Sequence, residues 1–292
     1  MDLNHYILEK FEHQLSFVQM PIWKRIVSSP KQFFKRLKTA KADQVNNQEF
    51  IANHFLGFPM KVSAADTDLL KYGLYLDEST ICLTKYFISN ITPKSVFIEV
   101  GAHAGFFSIL AAQLVTQEGR VLSIEPSQNA FVLLEGNTHQ FSQITNYNIA
   151  IGPKDEMVSF RENEADKSFL NQIVTTFTDQ DTIVEVYANK LDTFLKGQKV
   201  TPQIIFFSSS FIDFKFLEDS IKTVSMIGLQ LVFSYKAFVG GERILHLDSF
   251  LSSYGYQPFA ILPDGTLENI AHLNQYLQAL TSGSVYIVFK NA

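Results

Sequence analysis

The chain has 292 residues, of which 46% are hydrophobic and 18% are charged, a composition that excludes intrinsic disorder. Its formal net charge of −5 argues against a general nucleic-acid footprint, although a local basic patch is not excluded. The single cysteine, Cys82, excludes an internal disulfide framework, and no apolar run is long enough to predict a transmembrane span. Because a single cysteine fits a reducing setting, we expect a cytoplasmic location. The first residues include acids where a secretory signal needs positive charge.

Residues 1–57 are predicted to form a basic, helical N-terminal segment. Between His13 and Ala42 the sequence contains seven basic residues and no acid. Apolar residues recur there at near-helical spacing, and two prolines suit first helical turns, so we predict two or three short helices: Ile22, Ile26, Phe33, Leu37, Pro21, Pro30. One interpretation is a helical cap that packs its aromatic side chains on the main domain. The other is an amphipathic surface that contacts anionic lipid or an acidic partner.

Residues 58–292 are predicted to form one α/β domain, beginning with short strands and turns over residues 58–76. Strands are predicted at 95–100, 120–124, 147–151, 204–207, 229–234 and 284–289. Helices are predicted at 78–89, 106–116, 129–138, 212–227 and 242–254, with edge strands or a hairpin within 155–195. This alternation of strands and helices predicts a mostly parallel, doubly wound sheet.

A glycine turn follows the first buried strand, VFIEV, and precedes a helix. Gly101 and Gly105 allow the backbone to turn sharply and to approach a ligand closely. Glu125 ends the next strand, where a carboxylate can accept hydrogen bonds from both ribose hydroxyls of a nucleoside. The pair predicts a nucleoside-binding crevice.

An acid lies two residues before the first glycine of this turn. Glu99 would repel the pyrophosphate of a dinucleotide, but it suits a ligand that carries an ammonium group. The residues therefore favour S-adenosylmethionine, which has an α-amino group and a sulfonium. A dinucleotide, or a glycine turn that binds nothing, stays open as an alternative.

With these motifs in place, the chain resembles the FkbM-type family of S-adenosylmethionine-dependent methyltransferases over residues 58–290. The family's strand and turn, Asp-Val-Gly-Ala-Asn-x-Gly, corresponds to EVGAHAG, with Glu99 for the aspartate and His103 for the asparagine. Further correspondences follow in the family's order: SIEPSQNAFVLLEGN, NIAIG, NKLDTFL and LSSYGYQPFAILPDG.

The resemblance implies a Rossmann-like, seven-stranded class I methyltransferase sheet, to which residues 1–57 add a helical N-terminal extension. It implies methyl transfer to an oxygen, often of a sugar or natural product, with a small-molecule or glycan acceptor. It places Glu125 at the ribose and Asn148 near the adenine. The implied cofactor-binding residues are Glu99, Gly101, Ala102, His103, Gly105, Glu125, Pro126 and Asn148. A homo-oligomer is compatible with the sequence.

The chain departs from the family at the reaction end of the sheet. The family's Lys-Ile-Asp-Val-Glu-Gly aligns with 206–211, which puts Ser208 and Ser210 at the two acids. A third family acid, after the fifth strand, falls near Ser234. Serine is uncharged and a poor base near neutral pH. The departure therefore affects the predicted catalytic groups and leaves the predicted cofactor-binding residues unchanged.

Three interpretations of the reaction therefore remain open. The first is a working O-methyltransferase, with His103 or Tyr235 as the base and Ser208 and Ser210 at the acceptor. The second is a catalytically degenerate domain that serves as a binding or scaffold subunit. The third is a different reaction on a retained cofactor or substrate.

The candidate catalytic residues also have plainer interpretations. His103 would then be only a turn residue that touches the cofactor, Ser208 and Ser210 would line a pocket, and Tyr235 would lie in a solvated loop. No histidine has metal-ligand spacing, so we predict no metal site.

Overall fold

The structure is a computed structural model that describes residues 2–28, 44–45, 49–64, 66–162, 172–173, 182–208, 214–236, 241–280 and 284–291. Its contacts divide the chain into two compact units, one of Met1–Asp77 and one of Glu78–Asn163 with Ser168–Ala292. The predicted domain boundary, between residues 57 and 58, lies within the first unit. None of the helices among the described residues is long and apolar enough to cross a membrane.

The first unit combines helices with a small antiparallel sheet of order β1-β2-β3. Its elements are α1 Leu3–Gln19, α2 Ile22–Ser28, β1 Gln44–Val45, β2 Glu49–Asn53, β3 Pro59–Ser63 and α3 Thr67–Tyr72. Helix α1 buries one apolar face, formed by Ile7, Phe11, Leu15 and Val18. Helix α2 agrees with a short helix that begins near Pro21, whereas α1, with 17 residues, is longer than the predicted short helices. The predicted helical positions from Pro30 to Leu37 lie outside the described residues. Residues 58–76, predicted as strands and turns, form strand β3 and helix α3.

The second unit begins with alternating helices and strands: α4 Glu78–Asn90, β4 Val96–Val100, α5 Phe106–Val115, β5 Arg120–Ile124, α6 Gln128–Thr138 and β6 Ile144–Tyr147. An insertion follows: β7 Ala150–Ile151, β8 Glu156–Arg161, β9 Gln172–Ile173 and β10 Ile183–Asn189. The remaining elements are α7 Leu191–Gln198, β11 Ile204–Phe207, a 3₁₀ turn Phe214–Leu217, α8 Ile221–Val224, β12 Gln230–Lys236, α9 Gly241–Ser253, β13 Tyr256–Ile261, β14 Leu267–Asn269, α10 Leu273–Gln278 and β15 Ser284–Asn291.

The main sheet has the order β14-β13-β15-β12-β11-β4-β5-β6. Strands β12, β11, β4, β5 and β6 are parallel to one another, and β15 runs antiparallel between β12 and β13. The predicted α/β fold with a mostly parallel sheet is confirmed. The sheet contains the seven expected strands, and the short strand β14 adds an eighth at the edge.

The insertion forms a second sheet of order β7-β10-β8-β9, in which β8 and β10 pair as the predicted antiparallel strands. The single strand predicted over 147–151 was wrong. It is two strands, because the chain leaves the main sheet after Tyr147 and pairs again, through Ala150 and Ile151, with β10. Between them Asn148 turns its side chain to the end of β5.

The continuous helix predicted over 212–227 was also wrong, because the described part of this stretch forms the 3₁₀ turn and the short helix α8. The carboxylate of Asp192 accepts hydrogen bonds from the backbone N–H groups of Lys222 and Thr223, at 3.0 and 2.8 Å. These bonds give α8 its own N-terminal cap and set it apart from the preceding turn. The Leu-Asp pair identified in the sequence therefore has a structural role here.

Strand β4 has a different environment on each face. Ile98 and Val100 belong to the large apolar core on one face. On the other face Phe97 packs edge-on against Phe87 with ring centroids 5.3 Å apart. Glu99 shares this second face with Phe97, since side chains alternate along a strand. A carboxyl group is thus placed in the buried interface between the sheet and helix α5.

Candidate functional site

The candidate site lies at the carboxyl edge of the central parallel strands. Gly101 follows β4, Glu125 follows β5 and Ser208 follows β11, and these strands are neighbours in the sheet. In open α/β sheets this edge is where ligands bind. The structure therefore brings together three residues that the sequence identified separately.

The turn between β4 and α5 contains three residues with left-handed backbone conformations. Gly101 and Gly105 each have φ of +88°, and His103 has φ of +49°. The N–H groups of Gly101 and Ala102 both donate to the carbonyl of Ile124, at 2.8 and 3.0 Å. The turn is thus tied to the end of β5, beside Glu125.

Helix α6 packs directly against this turn. A Cβ atom on Gly105 would lie 2.9 Å from Leu134 Cδ1 and 3.2 Å from Thr138 Cγ2. Asn137 Nδ2 donates to the carbonyl of Ala104 at 2.8 Å, which links the helix to the turn. The positive φ of Gly105 therefore favours glycine, and a methyl group there would also require Leu134 and Thr138 to shift.

The carboxylate of Glu125 bridges the two loops that form the edge. Oε2 accepts from the His103 N–H at 2.8 Å, and Oε1 accepts from the Ser127 N–H at 2.9 Å. Burial raises the pKa of Glu125, while His103 and the two N–H donors oppose this rise. Because each carboxylate oxygen has further lone-pair capacity, Glu125 can still accept hydrogen bonds from a ribose.

Glu99 occupies an internal position next to the turn. Its side chain is only 2% exposed, and its Oε2 accepts a 2.6 Å hydrogen bond from Ser108 Oγ. The Ser108 and Ser123 hydroxyl oxygens lie 2.7 Å apart and complete this buried polar group. Burial raises the pKa of Glu99 to about 8, so its carboxyl is mostly protonated at neutral pH. Glu99 thus contacts the first turns of α5, and its neutral form does not supply the charge expected for an ammonium ligand.

Asn148 fixes the backbone that carries Glu125. Its Nδ2 donates to the carbonyl of Glu125 at 2.8 Å and to that of Pro126 at 3.1 Å. The predicted cofactor residues Glu125, Pro126 and Asn148 are therefore close together in the structure. The predicted contact between Asn148 and an adenine stays a prediction.

Ser208 contacts the glycine turn from the neighbouring strand. Its hydroxyl donates to the carbonyl of Val100 at 3.0 Å and also to the carbonyl of Gly101. Its backbone N–H donates to the same Val100 carbonyl at 3.0 Å. The side chain aligned with a family aspartate therefore acts as a donor, a role that an ionised aspartate cannot take. Ser210, the other serine predicted at the acceptor, lies outside the described residues.

Tyr235 lies within strand β12 and is 6% exposed, so its interpretation as a solvated loop residue was wrong. Its ring belongs to the large apolar core, on the same face of β12 as Phe233. Ser234 lies on the opposite face, paired in register with Tyr286. These positions put Tyr235 near the carboxyl end of β12, with most of the ring committed to packing.

Glu162 is a carboxylate near the site that the sequence did not reveal. It follows β8, and its Oε1 accepts from the Ser127 hydroxyl and, at 3.3 Å, from the Asn129 N–H. Its charge contributes to the raised pKa of Glu125. Only its place at the end of the alternating strand MVSFRE was visible in the sequence. The contact depends on how the inserted sheet folds against the start of α6.

Within the described part of the chain, no group of three or more histidine, cysteine, aspartate or glutamate side chains could hold a metal ion. The site's polar groups are instead glutamates, serines and asparagines bonded to one another and to the backbone.

The profile of the methyltransferase FkbM domain matches residues 99–258. This chain belongs to the FkbM methyltransferase family. The matched segment begins at Glu99 and includes the glycine turn, Glu125 and Ser208, so the family assignment applies to the site just described. The resemblance expected from the sequence is confirmed, and with it a methyltransferase domain that uses S-adenosylmethionine.

Three solved structures are similar to this chain at low sequence identity. Precorrin-6y C5,15-methyltransferase from Geobacter metallireducens is 14% identical, covers 75% of this chain and 91% of its own, and has a TM-score of 0.40. TYW2 of Pyrococcus horikoshii in complex with MeSAdo is 10% identical, with coverage of 84% and 70% and a TM-score of 0.43. A Streptococcus mutans protein in complex with SAH is 8% identical, with coverage of 75% and 100% and a TM-score of 0.44. No curated protein sequence matches the chain.

Proposed function

We propose that this FkbM domain methylates a hydroxyl oxygen of a sugar or natural product. The observation that carries the proposal is the glycine turn of 101–105, bonded to Glu125 across the carboxyl edge of β4 and β5. S-Adenosylmethionine, when bound, supplies a methyl group on a sulfonium, so that the leaving group is already activated. The protein then contributes mainly position and alignment, and a weak base suffices.

The residues at this edge fit a nucleoside with an amino-acid tail. Glu125 would accept the ribose hydroxyls, and its fixed backbone, held by Asn148, would set their position. Gly101 and Ala102 would present a turn without bulky side chains to the methionine end. Because Glu99 is buried on Ser108, we assign it a positioning role, in which it holds α5 and the turn.

His103 is the base that we propose for the acceptor hydroxyl. It lies in the turn at the reaction edge, its side chain is half-buried, and its backbone N–H is fixed by Glu125. A neutral imidazole can accept a proton from a hydroxyl within hydrogen-bond reach. Ser208 in contrast donates its hydroxyl to backbone carbonyls, so we propose that it shapes the turn.

A second function, a binding or scaffold subunit without methyl transfer, is favoured by a different observation. At the position aligned with a family acid, Ser208 is bonded to the turn, and the ring of Tyr235 is packed in the core. The carboxyl edge of the sheet then retains the residues proposed to bind the cofactor, and it lacks a carboxylate at the position of Ser208. The two functions differ in turnover and agree in cofactor binding.

Calorimetry with S-adenosylhomocysteine tests the shared part of both proposals. We expect Glu125→Gln to weaken binding about 10- to 100-fold, because it removes charge-assisted hydrogen bonds. Glu135→Gln, at an exposed position on α6, is the matched control and should bind as the native chain does. Equal affinity for both variants and the native protein would show that the pocket has been placed wrongly.

A transfer assay separates the two functions. The full chain is incubated with methyl-labelled S-adenosylmethionine and methyl α-D-glucopyranoside, methyl α-L-rhamnopyranoside or catechol. His103→Asn introduces the family's own residue, which tolerates a positive φ, so it should keep cofactor affinity and lose turnover. Tight cofactor binding without transfer to any acceptor would favour the scaffold function. Full turnover of His103→Asn would contradict the assignment of His103 as base.

A further inference from the structure

Helix α2, Ile22–Ser28, presents large apolar side chains to solvent. Trp23 is 64% exposed and Val27 is 76% exposed, and Met20 and Ile26 are also exposed. Ile26 and Val27 follow Trp23 by three and four residues, which places these three side chains along one side of α2, and Met20 lies just before the helix. We call Met20, Trp23, Ile26 and Val27 the α2 apolar stripe.

The neighbouring helix α1 shows the usual arrangement. Its apolar residues Ile7, Phe11 and Leu15 are buried, and Phe11 packs edge-on against Phe55 of the same unit with centroids 5.3 Å apart. Single exposed apolar side chains are common, but a contiguous group that includes a tryptophan marks an interaction surface. The α2 apolar stripe is such a group.

Positive charge surrounds the stripe. Lys24 Nζ lies 5.4 Å from the centroid of the Trp23 ring, and Arg25 Nε donates to the Met20 carbonyl at 2.7 Å. Both cations are thus held next to the exposed apolar side chains. The surrounding sequence, from His13 to Ala42, has seven basic residues and no acid in a chain of net charge −5. The local charge is therefore opposite in sign to that of the whole molecule.

We propose that the α2 apolar stripe, with Lys24 and Arg25, docks on an anionic lipid bilayer. Tryptophan is favoured where an apolar ring meets the headgroup region, and lysine and arginine can extend from an inserted apolar face to lipid phosphates. An acidic protein would account for the basic residues, but it would not account for the exposure of the apolar side chains of Trp23 and Val27. The combination of tryptophan, aliphatic residues and cations favours lipid.

Sedimentation with vesicles tests this surface on the full chain. We expect binding to vesicles of phosphatidylcholine with phosphatidylglycerol, weak binding to phosphatidylcholine alone, and release by high salt, because screening weakens surface attraction. Lack of binding to the anionic vesicles would overturn the proposal.

Two variants divide the apolar and electrostatic contributions. Trp23→Ala with Val27→Ala should reduce anionic-vesicle affinity at least tenfold, since it removes the inserted groups. Lys24→Glu changes the local charge by two units. It should reduce anionic-vesicle affinity about 25-fold, given about fivefold for each unit of charge near the surface.

The matched controls are Ile227→Ala, at a side chain that is 96% exposed, and Lys154→Glu, at another exposed lysine. Both controls should bind vesicles as the native chain does. Unchanged vesicle binding by the α2 variants, or equal loss in the controls, would overturn the assignment to this surface. Binding to soluble poly-L-glutamate without binding to anionic vesicles would instead assign the surface to an acidic protein and overturn the lipid proposal.

Discussion

Ser108 Oγ donates a 2.6 Å hydrogen bond to Oε2 of Glu99 inside the interface between the sheet and helix α5. The Ser108 hydrogen bonds lower the pKa of Glu99, whereas the like charge of Glu125 raises it. Desolvation is therefore the larger effect, and it raises the pKa of Glu99 to about 8.

Glu99→Gln should stabilise the protein at alkaline pH and leave its stability nearly unchanged near pH 4. Below the pKa that Glu99 has in the unfolded chain, its carboxyl is protonated in both the folded and the unfolded state. Its ionisation then does not change the free energy of unfolding. As the pH rises towards 8, the unfolded chain releases the proton and the folded chain keeps it, so native stability falls by about 1.4 kcal/mol per pH unit. Glutamine removes this dependence. Urea unfolding at pH 5.5 and 8.5 should show the variant's advantage growing by about 3 kcal/mol.

Glu156→Gln is the control for this measurement, because Glu156 is exposed at the start of β8. Its stability difference from the native chain should not vary over the same pH range. If the difference for Glu99→Gln were equally flat, Glu99 would be ionised in the folded protein.

Restoring the family's acid at Ser208 should harm the protein. Ser208→Asp replaces a donor with an acceptor beside the carbonyls of Val100 and Gly101, so repulsion should displace the turn. We expect a loss of about 2–3 kcal/mol in unfolding free energy and weaker binding of S-adenosylhomocysteine. Ser208→Ala, which only deletes the hydroxyl, should cost about 1 kcal/mol.

The control for this charge is Ser142→Asp, in an exposed turn, which should change stability by less than about 0.5 kcal/mol. A Ser208→Asp variant that gained methyl transfer would contradict our interpretation and would show that the missing acid limits catalysis.

The sequence predicted the buried strands of the main sheet closely, because their apolar runs are continuous and bounded by turns. The strand predicted at 204–207 is found at Ile204–Phe207, and Gly101, Glu125 and Ser208 are found at one edge as expected. Where long-range contacts decide the conformation, the prediction was wrong. Asp192 caps α8 from 30 residues away along the chain, and no local pattern reveals this bond.

The site could be located from the sequence, but its hydrogen bonds could not. An acid next to a glycine turn predicted a charged group for a ligand, whereas the fold buries Glu99 on Ser108. Similarly, alignment placed Ser208 at a catalytic position, and only the structure shows its two backbone acceptors. The face of β4 that carries Glu99 follows from side-chain alternation along the strand. Its partner, Ser108, is visible only in the structure, because it depends on how α5 packs on the sheet.

Gly105→Ala should destabilise the protein, while the same change at Gly136 should not. The new methyl group at Gly105 would lie 2.9 Å from Leu134 Cδ1, at a backbone φ of +88° that L-residues rarely adopt. We expect a loss of about 2–3 kcal/mol by urea unfolding. Gly136 lies in helix α6, where a new methyl group would extend into open space, so alanine there should stabilise by about 0.5–1 kcal/mol. Equal effects at both positions would contradict the tight packing of α6 on the turn.

Asn148→Ala should reduce affinity for S-adenosylhomocysteine about tenfold. The side chain donates two hydrogen bonds to the carbonyls of Glu125 and Pro126, and losing them frees the backbone that aims the Glu125 carboxylate. Asn90→Ala is the matched control, because Asn90 also donates to a backbone carbonyl, that of Tyr86, at 2.9 Å near the end of α4. Both variants should lose about 1 kcal/mol of stability by urea unfolding, and only Asn148→Ala should lose affinity in calorimetry. If both variants kept native affinity, the loop of Glu125 would not depend on Asn148 for binding. Because Asn90 lies at the opposite edge of the sheet, a loss of affinity confined to Asn148→Ala would connect that loss to the site itself.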